Sequence, residues 1–527
     1  MSAYSGYAIA GVADGGIHQN VAGVSATGAL TNSGSVSLDA HASASADSSY
    51  RGLASAGLGE GINQSVDGGT LASATLTNSG SVDLTVGAGV SVLTGYAAAN
   101  ADFGIAQSAS EATNSSATLT NSGTVTVDVA ASASAYGGGT AIAQADGGVS
   151  QSANGGTATA DLTNSGTIDV AAGASATAYS GYAIATIGNG VYQSAAGGTS
   201  ATADLTNTGS ILVDATAGYG VSATGYDLNV AGRALANADY GVYQGATASG
   251  EGSTASASLT NSSPDSIDVT AVAQAYGRGY ANATAYAAGG VHQNVTAESA
   301  EGIVDNSGAI SVVASATASA YLAGANAGAG NGVFQTVSGT LEGTADLTNS
   351  GTIDLAANAS ASGFSAYANG NVGNGVSQIV NGVTALATVG NSGSISLAVA
   401  SSASAFDAYA NAYACNGVYQ SVGCTDATAE LTNSGTIEVT ADASASGSTS
   451  ADARATVGYG VNQSASGLDT ASVTLDNTGS ILVDAAATAS AFDASAYAAG
   501  YGVRQYASTE GGEATASLTN TAADTIN

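Results

Sequence analysis

The sequence predicts an all-β fold, an elongated β-solenoid (β-helix) of about twelve units with a period near 43 residues. Three observations lead there. Two short blocks, seen as Gly190-Val191-Tyr192-Gln193 and as Leu162-Thr163-Asn164-Ser165-Gly166, alternate from one end of the chain to the other. The stretches between them alternate small apolar and polar residues, the period of a half-buried strand. Nowhere is there the stripe of large apolar residues at spacings of three and four that an amphipathic helix needs.

Each element of one unit has a local reason. In 158–162, Ala158-Thr159-Ala160-Asp161-Leu162 alternates as a strand. Thr163-Asn164-Ser165-Gly166 is a turn, because an Asn side chain bonds to nearby backbone and Gly accepts positive φ without penalty. Thr167-Ile168-Asp169-Val170 resumes period two, with Ile168 and Val170 inward and Asp169 outward. Asp83, Asp169, Asp354 and Glu438 recur at one offset from their Asn anchors, and Asp39, Asp128, Asp214 and Asp484 at an offset two greater. A difference of two keeps a strand side chain on one face, so these acids line a solvent side.

The Ala-rich run 171–179 is the harder element, since Ala is the best helix former. Its alternation with Ser and Thr, repeated at 314–320 and 402–405, favours a strand with a thin wall. Gly190-Val191-Tyr192-Gln193-Ser194 then starts another short strand at a glycine bend. The Gln anchors, among them Gln64, Gln107, Gln151 and Gln193, recur where side-chain amides can stack from unit to unit, and Asn78, Asn121, Asn164 and Asn207 mark a second such row. The residue before each Gln varies freely (His18, Ala106, Tyr192, Ser377, Arg504), which marks that slot as exposed.

With coils of roughly 20 residues, each period holds two coils; at about 4.8 Å between coils this gives roughly 24 coils and a rod about 115 Å long. One coil per unit with a wider section is the structural rival. Residues 1–527 read as a single repeat domain. The chain opens inside a unit, at Tyr4-Ser5-Gly6-Tyr7, without a polar cap at either end, so it reads as a fragment or processed form, or as one whose ends meet other subunits. The largest departure from the period is the unit at 221–262, with added material around Thr224-Gly225-Tyr226-Asp227-Leu228 and Gly250-Glu251-Gly252-Ser253. Such additions either carry binding or are neutral length changes that leave the stacking intact.

Lys+Arg total 5 against Asp+Glu 38, a formal net charge of -33. That surface repels phosphate backbones and anionic membranes, which argues against nucleic acid and membrane insertion. It also makes assembly sensitive to salt and to a diffuse calcium dependence, with no specific metal site and no cofactor. Catalytic residues are not found: only His18, His41 and His292 are available as bases, and His18 and His292 stand six units apart. Cys415 and Cys424 bracket a short block and are either a disulfide pair or two unrelated small residues. Tyr192, Tyr243, Phe334 and Tyr419 share the variable slot and make a candidate aromatic strip for sugars or for lateral contacts.

The phrases Leu162 to Ile168 and Leu347 to Ile353, Leu-Thr-Asn-Ser-Gly-Thr-Ile, resemble the passenger repeats of bacterial autotransporters and large surface adhesins. That resemblance implies a secreted β-helical stalk at the bacterial surface or in extracellular matrix. The expected function is therefore structural: a rigid stalk, fibre or lattice built by unit stacking and by head-to-tail or lateral self-association. An adhesin binding glycans or a surface receptor is the alternative, and a polysaccharide-processing enzyme a remoter one.

Overall fold

A computed structural model describes residues 5–12, 16–45, 51–221 and 231–521. Tyr4 and the insertion at 224–228 lie outside the described residues. Every element among the described residues is a strand, and the 23 strands belong to one hydrogen-bonded sheet whose ladders are parallel. The fold is all-β, and its parallel pairing is compatible with a β-helix.

Register follows the repeat. Ser81–Asn121 pairs with Thr124–Asn164 so that Val82 faces Val125, Gln107 faces Gln151 and Asn121 faces Asn164. Backbone partners are thus one full period apart, and each unit forms one level laid on the next. The expectation of two coils per period is overturned. A two-coil arrangement would pair residues half a period apart, whereas Gln107 and Gln151, 44 residues apart, are direct neighbours across levels.

The Ala-rich runs are strands. Thr167–Ala178 alternates buried and outward residues along its length, with Ala172, Ala174, Ala176 and Ala178 in the interior. Small side chains suffice because the facing wall of the same level is close. At the Asn-Ser-Gly bends the turns themselves stack: Ser165 N donates to Asn121 O at 2.7 Å and Thr167 N to Gly123 O at 3.0 Å. A β-carbon on Gly166 would run into the Gly123 carbonyl of the level below, so this close approach, and not the positive φ expected from the sequence, demands glycine.

Among the described residues the interior is a large apolar column and, beyond a polar wall, a smaller one that falls into two clusters. Val149 and Leu162 belong to the larger column, Ala153 and Ala158 to the smaller. Between them sits Gln151, fully buried, whose Nε2 donates both to Gln107 Oε1 at 2.9 Å and across the interior to Asp161 O at 3.0 Å. The same two bonds recur at Gln193, to Gln151 at 3.0 Å and to Asp204 O at 2.8 Å. Each buried amide is therefore satisfied within its level and between levels, as a low-dielectric interior requires. Packing thins at the outer levels: Leu475 is 0% exposed, while Leu518, its partner one level on, is 48% exposed.

The long unit does not disturb this register. Asn207 Nδ2 donates to Asn261 Oδ1 at 2.8 Å although 54 residues separate them. The extra residues at 250–253 leave the ladder as a turn in which Gly252 has φ +70 and donates its N–H to Glu298 Oε2 at 2.6 Å. Around Gly250–Ser253 the length change leaves the stacking intact.

Candidate functional site

The aromatic strip predicted from the variable slot is a column of rings one level apart. Tyr192 and Tyr243 stack with centroids 5.2 Å apart and planes 6° apart. His292 follows at 5.1 Å and Phe334 at 4.9 Å beyond it. Ser377 occupies the next position, so Tyr419 is separated from the column by one level.

From Asn63 to Asn462 the slot is half-buried or buried, which corrects the reading drawn from its variability; it is exposed at His18 and Arg504 on the outermost described levels. Rings on adjacent levels cover one another, and Ser377 between Phe334 and Tyr419 is only 3% exposed. Tyr240 closes the column edge-on to His292 at 4.8 Å. Burial holds the His292 imidazole below its ordinary value, and its Nδ1 has no hydrogen-bond partner among the described residues. The rings pack on one another from level to level.

The cysteines are not bonded; both are free thiols. The block between them does not turn back. It continues the ladder from Val418 to Cys424, paired with 376–382. Six extended steps at about 3.3 Å each carry those ends roughly 20 Å apart, well past disulfide reach. Burial raises the Cys415 thiol and pushes Cys424 up to about 11, so neither is a reactive thiolate near neutrality.

The outward acids lie along the sheet as the strand alternation places them. Burial, then Asp128 and Asp214, raise the Asp169 carboxyl above its ordinary value. Among the described residues no group of three or more His, Cys, Asp or Glu is placed to hold a metal ion. His41 Nε2 lies 2.8 Å from Asp39 Oδ1, both well exposed on the outer face.

No protein family, curated protein or solved structure matches this chain.

The structure holds one feature absent from the sequence reading, an open groove of about 650 Å³ crossing the first levels. Its long side is a single row in which Tyr7, Leu53, Tyr96, Thr140, Tyr182 and Arg233 succeed one another level by level. Gly52 and Gly95 lie along it but face inward, where a β-carbon would collide with the methyls of the core residues Val90 and Val92. Arg51 flanks the row, and Arg233 Cζ lies 5.9 Å from the ring centres of both Tyr182 and Tyr280. A signal was present in the sequence: Tyr96, Tyr182 and Arg233 each stand eleven residues before their anchors Gln107, Gln193 and Gln244. It is hidden because Tyr recurs only on alternate levels.

Proposed function

We propose that the chain is a β-solenoid serving as a secreted, non-enzymatic structural protein of the bacterial surface or extracellular matrix. In this reading the stacked levels supply a stiff stalk, fibre or lattice element. The observation that carries it is the unbroken pair of amide rows. Gln bonds Gln on every level from Gln19 to Gln505, and Asn bonds Asn from Asn32 to Asn520. A solenoid tied at every level by a buried hydrogen-bonded row resists bending and local opening, because each unit is held by both neighbours.

The surface or matrix location rests on the resemblance of the Leu-Thr-Asn-Ser-Gly-Thr-Ile phrases to passenger repeats. Self-association, head to tail or side by side, is part of the same reading, since a stack of parallel levels is extended by the same ladder bonds that build it. The charge of -33 makes such contacts depend on salt and on divalent ions that screen it. Electron microscopy of purified protein across a range of calcium and salt tests the reading. Rods joined end to end or side by side are expected, and separate particles under every condition would count against assembly.

A further inference from the structure

The groove over the first levels has a chemistry unlike the rest of the surface. Two of the chain's 5 basic residues, Arg51 and Arg233, line it in a molecule with 38 acidic ones. No Asp or Glu lines it among the described residues, and neither arginine there makes an ion pair with a carboxylate. Tyr7, Tyr96 and Tyr182 are 70%, 41% and 47% exposed, so their rings are free to be covered.

Spacing selects the kind of ligand. The three tyrosines occupy alternate levels, about 9.6 Å apart for a level separation of about 4.8 Å. That is the length of two pyranose rings in an extended β-linked chain. Rings at this interval offer a stacking platform to every second sugar. Arg233, held between the rings of Tyr182 and Tyr280, keeps its N–H edge for a carboxylate.

The same rows continue along the molecule with opposite charge. In the later levels the row position of Arg51 is taken by Asp407 and Asp493, and that of Arg233 by Asp452, beside the stacked Tyr367 and Tyr409. Aromatic spacing alone therefore does not distinguish the halves; the arginines do.

We propose that the groove bounded by Tyr7, Tyr96, Tyr182, Arg51 and Arg233 binds one extended, carboxylate-bearing polysaccharide chain, a polyuronate. Sugar rings lie on the three tyrosines and carboxylates meet the two guanidinium groups. The acidic continuation repels the same polymer and confines it to the first six levels. This assignment is independent of whether the protein assembles.

Calorimetric titration of the full chain with a uronic-acid hexamer and with a neutral β-linked glucose hexamer tests it. Binding of the acidic hexamer is expected, weakening with added salt and falling about tenfold or more in R233Q and in Y96A/Y182A, with D452N unchanged. The conservative variant R233K retains part of the affinity. Failure of the acidic hexamer to bind the unaltered chain overturns the proposal, as does equal binding of the neutral one. Sedimentation showing the groove closed by a second copy, with dimer lost in R233Q, would also overturn it.

Discussion

Tyr219 and Gly232 compete for one volume: the buried phenol ring stands where a β-carbon on residue 232 would be. On the levels either side, Ala176 and Ala275 hold the position of Tyr219, so one large ring interrupts a column of methyl groups. Its hydroxyl donates to Ala178 O at 2.9 Å, and burial pushes the phenol up to about 12. Truncation in Y219A is expected to cost about 3–5 kcal/mol, and crowding in G232A about 1–3 kcal/mol. In the double variant the added methyl enters the vacated space, so the two costs do not add. A denaturant double-mutant cycle reads this, and strictly additive costs would show that the two residues are independent.

The amide row gives a positional prediction. Gln244 Nε2 donates to Gln193 Oε1 and Gln244 Oε1 accepts from Gln293, both at 2.9 Å. Removing it in Q244A strands the buried Gln193 acceptor below, while the Gln293 amide above keeps Ala257 O and Ile303 O, a cost of about 1–3 kcal/mol. Gln19 on the outermost described level has a neighbour on one side only and its amide reaches water. Q19A should therefore cost under about 1 kcal/mol in the same unfolding measurement.

Much of this fold was legible because strand alternation is a local property. Ile168 and Val170 point in and Asp169 out whatever the larger architecture, and the Ser/Thr alternation correctly separates the Ala runs from helix. The number of coils per period was not legible. Periodicity measures how often the pattern returns and says nothing of where the backbone closes, which depends on contacts such as Gln151 to Asp161 O across the interior. Variability of the slot at Tyr192 was also misleading, since stacked neighbours shelter one another without specifying identity. The groove went unread because Arg51 and Arg233 are remote in sequence and come to line one groove, four levels apart, only through the level-by-level register.

Acid sensitivity has a definite direction at Asp169. Its carboxyl titrates above the ordinary 3.8 in the folded chain, because of burial first and then Asp128 and Asp214. The native state thus holds its proton to higher pH than the unfolded state, so this group destabilises above its folded value and ceases to do so as pH falls below the unfolded one. D169N is expected to be more stable than the unaltered protein at neutral pH, with the advantage vanishing toward pH about 3.5. Thermal unfolding at low salt measures it; a pH-independent difference would contradict the assignment.

His292 titrates in the opposite sense. Its imidazole is held below 6.5 by burial, so the unfolded state takes up the proton first and stability falls as pH drops through that value. H292F keeps the ring column with Tyr243 and Phe334 and removes the unpartnered Nδ1. A gain of about 1 kcal/mol at neutral pH is expected, growing on mild acidification. Loss of stability in H292F would show that the imidazole makes a bond this packing does not provide.

The central claim, one unit per level, is tested most directly by the length of the isolated particle in solution X-ray scattering or electron cryo-microscopy. Twelve levels at about 4.8 Å predict a stack roughly 55 Å along its axis, with one period advancing a single strand spacing. An axial length near 115 Å, or a string of separate beads, would contradict it.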